Sequence, residues 1–316
     1  MKIERRFIIG DVHGHLDALE RLLAHLGVGG EVPAGTELVF LGDLIDRGPE
    51  SAQVVDRVMA LCRQGRARCI LGNHEFNFVQ FNTETAPGSG VYRRKRSDKN
   101  LTEVAETWSS YRAYGKKANE VRVQHVEWMK TLPVALSLDG IQMVHACWSP
   151  ELLAECEARN DGWYLSEQDW DTAWQKGTAA YQRVETLCKG LEQRLPEGVW
   201  FYDKGGVVRY DARVCWWNRR PSTWEDYIRA PNIDWSQLPE VFTAGDHGLA
   251  PTQPTLFGHY WFENEPSLIS GNAACLDFSV ARPGGRLCAY EWRAGERELV
   301  EGRLRWVNQQ TEGARA

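Results

Sequence analysis

Short apolar runs along the first quarter of this chain end repeatedly in glycine followed by a polar ligand type. Phe7-Ile8-Ile9 stops at Gly10-Asp11-Val12-His13-Gly14, and Leu38-Val39-Phe40-Leu41 stops at Gly42-Asp43-Leu44-Ile45-Asp46-Arg47-Gly48. A third run, Arg68 to Leu71, stops at Gly72-Asn73-His74-Glu75. Between the first two, Leu19, Leu22, Leu23 and Leu26 recur at helical spacing, with Asp17 read as the cap and Gly27 as the stop. Val54, Val55, Val58, Leu61 and Cys62 mark a second helix from about Ser51 to Gln64, closed by Gly65. The order β-α-β-α-β predicts a parallel sheet covered by helices. Such sheets bind ligands outside the carboxyl ends of their strands, so the three polar loops are expected to converge.

The pattern then loosens. Residues 76–133 read as an irregular, then helical, insertion that carries the basic run Arg93-Arg94-Lys95-Arg96. Val134–Leu138 and Ile141–Val144 form a predicted hairpin around Asp139-Gly140, with His145 at the end of its second strand. Residues 150–240 read as a second, mostly helical and turn-rich insertion holding eight of the 14 tryptophans. Short β runs return at Val241–Thr243, Thr255–Phe257 before Gly258-His259, Cys275–Val280 and Leu287–Trp292, with Pro283-Gly284-Gly285 turning between the last two. No repeat and no polar linker divides the chain. A single domain is expected over 1–308, decorated by the two insertions, with 309–316 as a flexible tail.

Composition narrows the class. With 316 residues, 43% hydrophobic and 25% charged, the chain has the profile of a globular protein. No apolar run approaches the roughly 20 residues that cross a bilayer, and a strand starting at Phe7 leaves no room for a signal peptide, so the expected location is the cytoplasm. None of the eight cysteines forms a C-x-x-C pair, which excludes a zinc knuckle or a dithiol redox motif and favours reduced, buried thiols. A net charge of −6 argues against a dedicated nucleic-acid binder.

The chemistry lies in the residues that follow strands: Asp11, His13, Asp43, Asn73, His74, His145 and His259. An oxygen and nitrogen set without thiolate suits Mn²⁺, Fe, Zn²⁺ or Mg²⁺. One carboxylate shared by two divalent ions would hold them about 3.5–4 Å apart, the spacing of two-metal hydrolases.

These motifs, in this order and with these spacings, resemble the PPP family of calcineurin-like metallophosphoesterases, which includes Ser/Thr protein phosphatases and symmetrical diadenosine-tetraphosphate hydrolases. The match covers about residues 7–75, and the later histidines extend it to about residue 260. The resemblance implies an α/β fold, a two-sheet β-sandwich flanked by helices with helical insertions. It implies that Asp11, His13 and Asp43 hold one metal ion and that Asp43, Asn73, His145 and His259 hold the other, with Mn²⁺ the first expectation. His74, oriented by Asp46, would protonate the leaving group, and Arg47 would bind a phosphate oxygen.

The sequence also departs from the family pattern. Leu71 stands where protein phosphatases place an arginine before Gly-Asn-His-Glu, as in the diadenosine-tetraphosphate hydrolases. His145 is followed by Ala146-Cys147-Trp148, and Gly258-His259-Tyr260-Trp261 lacks a second histidine two residues on. Arg93, Arg94 and Arg96 are candidates for the phosphate contact that Leu71 cannot make. Glu75 is read as support for a ligand. Asp246-His247 imitates the first motif but is passed over for His259, and His15, His25 and His125 are read as structural or surface residues. The expected function is hydrolysis of phosphomonoesters by metal-bound hydroxide, in the manner of a phosphoprotein phosphatase, on a phosphoprotein, a small phosphomonoester or a nucleotide. The alternative is a symmetrical diadenosine-tetraphosphate hydrolase. A reading from another class is a non-catalytic metal-binding scaffold, against which the intact set with Asp46, His74 and Arg47 argues.

Overall fold

The structure is a computed structural model, and it describes residues 2–159, 162–202, 206–242 and 247–309. The first half alternates strand and helix: β1 (Arg5–Ile9), α1 (Leu16–His25), β2 (Thr36–Phe40), α2 (Ser51–Arg63), β3 (Ala67–Cys69) and α3 (Asn73–Asn82). β1 pairs parallel with β2 and β2 with β3, as the sequence pattern predicts. Two helices, α4 (Asp98–Ser110) and α5 (Ala118–Lys130), fill the first insertion, and the hairpin β4 (Ala135–Leu138) and β5 (Ile141–Val144) follows. Its turn residues Asp139 and Gly140 both adopt positive φ, as a tight two-residue hairpin turn requires.

The second insertion carries α6 (Pro150–Glu157), α7 (Glu167–Thr172) and α8 (Ala179–Lys189), and then short strands. These are β6 (Glu192–Arg194), β7 (Phe201–Tyr202), β8 (Val208–Arg209), β9 (Asp211–Val214), the one-turn α9 (Trp224–Tyr227) and β10 (Ile228–Arg229). The mostly helical expectation therefore holds only for its first part. β6, β9 and β10 form a small sheet of their own, and β7 pairs with β8. Tryptophans here pack the insertion onto the core. Buried Trp216 donates its indole N–H to the Ala146 carbonyl, and Trp217 stacks on Phe257.

The last strands are β11 (Thr255–Phe257), β12 (Ala273–Cys275), β13 (Asp277–Phe278), β14 (Arg286–Arg293) and β15 (Leu304–Asn308). β12, β11, β5 and β4 make a second main sheet in that order, with β11 parallel to both β5 and β12. β14 runs antiparallel to β1 and carries β13 and β15, which completes the first sheet. The apolar run Cys275–Val280 is thus not one strand. The chain crosses from one sheet to the other at Leu276. Val241 and Phe242 form no strand, and Thr243 lies outside the described residues, as does the expected tail beyond Gln309. β15 is not legible in the sequence, because Arg305 and Asn308 break up a short run.

Both faces of the parallel strands in the two main sheets are covered, as such strands require. Ile8, Val39, Leu41 and Ile70 pack with Ile141, Met143, Leu256 and Leu276 between the sheets. Their neighbours Phe7, Ile9, Leu38 and Phe40 belong to the larger cluster with Leu19, Leu22, Leu23, Val54 and Val58 of the covering helices. α1 begins after His15 without a side-chain cap, so Asp17 is not the cap. Asp17 lies in the first turn, where it suits the helix dipole and accepts a hydrogen bond from Arg21 Nε at 3.0 Å. His125 is buried between the Tyr111 hydroxyl and the Asp56 carboxylate, in keeping with a structural role. The cysteines are all free thiols, and every one but Cys62 is fully buried. Among the described residues, no helix is long and apolar enough to cross a membrane. Replacing buried Leu22 by Ala is expected to lower unfolding stability by about 2–5 kcal/mol in urea titration. Leu101→Ala, at a site 45% exposed, is expected to stay within about 0.5 kcal/mol of the parent.

Candidate active site

Every ligand-bearing loop named from the sequence leaves the carboxyl end of a strand. Asp11 follows β1, Asp43 follows β2, Asn73 and His74 follow β3, His145 follows β5 and His259 follows β11. The sandwich stacks the two sheets so that these ends meet. The β2 and β3 loops touch backbone to backbone. Gly42 has φ +87°, and a Cβ on it would lie 2.5 Å from the Gly72 nitrogen, so only glycine fits there.

Asp43 sits at the centre. Its Oδ1 is 3.3 Å from His145 Nε2 and accepts the His74 backbone N–H at 3.0 Å. Its Oδ2 lies 3.7 Å from His13 Nε2 and 3.8 Å from His74 Nε2. Asp43 shares one compact ligand group with His13 and His74 and another with His145 and His259. Asp11 adjoins the first group, with Oδ2 at 3.9 Å from His13 Nε2. Asn73 adjoins the second. Its Oδ1 accepts from His145 Nε2 at 3.1 Å and from His259 Nδ1 at 2.8 Å. All the predicted ligands therefore come together, on two flanks of one shared carboxylate.

The electrostatics ask for a cation. Burial, then the neighbouring Asp277 carboxylate, push Asp11 well above the usual carboxyl range. Burial also opposes ionisation of Asp43, but the imidazoles of His145, His74 and His13 outweigh it and hold this carboxyl well below its usual range. Burial works against a charge on His145 as well, yet the attraction of Asp43 prevails and the ring is pushed up to about 10. Its Nδ1–H donates to the Leu41 carbonyl at 2.7 Å while Nε2 faces Asp43, so a protonated imidazole supplies the positive charge that a metal would replace. His13 is oriented the same way, Nδ1–H donating to the Ile45 carbonyl at 2.9 Å. His259 Nε2 is buried with no hydrogen-bond partner, and burial followed by the charge of Arg213 pushes this ring toward its neutral, ligating form. Buried acids gathered with the neutral imidazoles of His13 and His259 around one carboxylate fit divalent metal ions.

Two supports complete the cluster, one of them invisible in the sequence. Glu75 accepts the backbone N–H groups of Asp43, Leu44 and Gly72 at 2.8, 2.8 and 3.1 Å, which pins the Asp43 loop to the start of α3. Asp46 is held by the Thr107 hydroxyl, which donates to its Oδ1 at 2.5 Å, while its Oδ2 accepts from His74 Nδ1 at 2.6 Å. Thr107 belongs to α4, and no local signal in the sequence connects it to the motif. Burial lowers the pKa of His74, but Asp43 and the hydrogen bond to Asp46 together raise it above its ordinary value.

Arg47 reaches inward. Its Nη1 donates to His13 Nε2 at 2.7 Å and its Nη2 lies 3.3 Å from His74 Nε2. A cation on His13 would take that lone pair and release the guanidinium fork. The basic run does not join it. Arg93 pairs with Asp171, Arg94 with Glu103, and Arg96 stacks on Tyr92 and Phe81. The backbones of Arg93 and Arg94 bond to Thr83 and Gln80 at the far end of α3, about 10 Å along the helix from Asn73. These side chains brace the first insertion and are engaged with partners other than the ligand cluster. His247 lies apart from this cluster, stacked near Tyr227, and Asp246 is outside the described residues.

Backbone strain is concentrated here. Of the nine non-glycine residues with positive φ among the described residues, six are His13, Asp43, Asp46, Arg47, His259 and Trp261. Such conformations persist where surrounding contacts over-determine them, and they gather at functional sites. Glu75→Gln is expected to weaken metal binding by about 10–100-fold, and Asp43→Asn to remove the shared ligand and lower the metal content per chain, both read by elemental analysis after dialysis.

The family description "Calcineurin-like phosphoesterase" matches residues 5–179, more than half of the chain. A symmetrical bis(5'-nucleosyl)-tetraphosphatase from Ralstonia nicotianae is 32% identical over 143 residues, 45% of this chain and 42% of that protein. An asymmetrical bis(5'-nucleosyl)-tetraphosphatase from Oceanobacillus iheyensis is 33% identical over 175 residues, 52% of this chain and 64% of that one. The matched stretch is less than two thirds of either relative. Among solved structures, a protein serine/threonine phosphatase from Saccharomyces cerevisiae aligns with 98% of this chain and 80% of its own, at 13% identity and a TM-score of 0.49. By the extent of the family match, the chain belongs to the calcineurin-like phosphoesterases.

Proposed function

We propose that this chain is a metal-dependent phosphoesterase that cleaves dinucleoside polyphosphates symmetrically, with Asp11, His13 and Asp43 holding one divalent ion and Asp43, Asn73, His145 and His259 the other. This reverses the order expected from the sequence, where phosphomonoesters came first. The observation that carries the reversal is Leu71. Its side chain is 0% exposed and packs in the core, so the position before Gly72 offers substrate nothing. The curated relatives described above support a dinucleoside polyphosphate as the substrate class, one being named a symmetrical and the other an asymmetrical bis(5'-nucleosyl)-tetraphosphatase. The scaffold reading loses ground, because Asp46, His74 and Arg47 are held in a working geometry beside the ligand groups.

When bound, the two ions would polarise a phosphoryl oxygen and lower the pKa of water into the range of a nucleophile at neutral pH. The chain's own residues do the rest. Asp46 accepts from His74 Nδ1, which fixes the ring and favours a proton on Nε2. Nε2 is 3.8 Å from Asp43 Oδ2 and accepts from Arg47 Nη2 at 3.3 Å, so once that guanidinium turns to a phosphate this nitrogen stands at the edge of the ligand cluster, placed to carry a proton to a leaving oxygen. Arg47, with its Nη2 3.3 Å from that ring nitrogen, offers a two-pronged donor to the same phosphoryl group.

A substrate panel with added Mn²⁺ tests the reading. Diadenosine tetraphosphate is expected to exceed p-nitrophenyl phosphate and a phosphopeptide in kcat/KM by about two orders of magnitude, or about 2.7 kcal/mol. ADP should be the only nucleotide product, whereas AMP and ATP in equal amounts would mean asymmetrical cleavage. Comparable rates on the phosphopeptide would restore the first ordering. His74→Asn is expected to slow esters with poor leaving groups more than p-nitrophenyl phosphate, and equal losses on both would remove His74 from the role of acid.

A further inference from the structure

Arg47 has one contact that its motif does not explain. Its guanidinium carbon lies 3.5 Å from the centroid of the Trp261 indole, so the planar cation rests on the aromatic face. Arg282, paired with Glu263, approaches the same ring at 4.9 Å. Trp261 is half-buried and holds φ at +52°, a conformation that a bulky side chain adopts only under constraint. The constraint is Asp277. This carboxylate, 1% exposed, accepts the Trp261 backbone N–H at Oδ2 (2.8 Å) and the Ser279 N–H at Oδ1 (3.0 Å). The Asp277 carbonyl accepts the Phe262 N–H at 2.9 Å, and the Ser279 hydroxyl donates to the Phe262 carbonyl at 3.2 Å. These bonds tie the segment after His259 to β13 and fix the backbone from which Trp261 projects.

Stacking engages the face of a guanidinium and leaves its N–H edges free. Those edges point at His13 Nε2 and His74 Nε2, at the rim of the ligand cluster. An arginine has several rotatable bonds and loses affinity for phosphate whenever it samples other rotamers. We propose that Trp261, locked by Asp277, is a positioning residue that holds the Arg47 fork toward the phosphoryl group. The inference rests on the reading of Arg47 as a phosphate-binding group.

The test is a mutant cycle on the Mn²⁺-loaded protein, read by calorimetric titration with inorganic phosphate alongside kcat and KM for p-nitrophenyl phosphate. Trp261→Ala, or Trp261→Leu where bulk is needed for folding, is expected to weaken phosphate binding by about 5–10-fold, the scale of a partly desolvated cation–π contact. KM should rise more than kcat falls. Trp261→Phe should recover most of the loss, since it restores an aromatic face. Arg47→Ala combined with Trp261→Ala should bind phosphate no more weakly than Arg47→Ala alone, because coupled residues do not add. Asp277→Asn, which keeps one acceptor oxygen, should move phosphate binding in the same direction with manganese content unchanged. If Arg47→Ala leaves phosphate binding untouched, the reading of Arg47 falls. If Arg47→Ala weakens it while the Trp261 variants do not, or if the double variant multiplies the two losses, the positioning inference falls.

Discussion

A carboxylate taken out of water costs on the order of several kcal/mol unless its surroundings offset the loss. Asp43 is 1% exposed and yet is held as an anion by imidazoles contributed from three separate loops. That condition orders the rest of the site. It requires His13, His74 and His145 to face one point, which the meeting of two sheet ends provides. It also requires the Asp43 loop not to relax, and Glu75 prevents this by taking the backbone amides of Asp43 and Leu44. Burial and the nearby Asp43 carboxylate push Glu75 itself up to about 7, against the amides that favour its anionic form. The brace and the shared ligand are therefore coupled acids, and a bound cation would steady both.

The division of labour between the sheets follows from their topology. The first sheet supplies Asp11, Asp43 and Asn73 from three neighbouring parallel strands, all turning at the same edge. The second supplies His145 and His259 from two more parallel neighbours, β5 and β11. Neither sheet holds the full ligand set. A divalent ion bound between them would link the two layers where the hydrophobic core between the sheets ends, coupling metal loading to the stability of that edge.

The insertions pack outward and reach inward at single points. α4 of the first insertion delivers Thr107 to Asp46, while the arginines that precede it are engaged with Asp171, Glu103 and aromatic faces. The second insertion anchors itself with Trp216 and Trp217 against Phe257 and Tyr260, and carries Arg213, whose charge acts on His259. Leu71 lies in the core, and Arg47 reaches the ligand cluster stacked on the face of Trp261.

The parallel half of the fold, the hairpin and the polar residues that gather around Asp43 are all legible in the sequence. Those features are local: period-2 and period-3.6 patterns place strands and helices, and glycines after strand ends mark where polar residues leave the sheet. Which arginine lies at the ligand cluster is not legible, since the run at 93–96 looks as competent as Arg47 until the partners of each are known. The same holds for the crossing between sheets at Leu276, and for Thr107, Trp261 and Asp277, which stand behind Asp46 and Arg47. These are contacts between residues far apart in the chain, and only packing of the two sheets and the insertion helices brings them within hydrogen-bond reach.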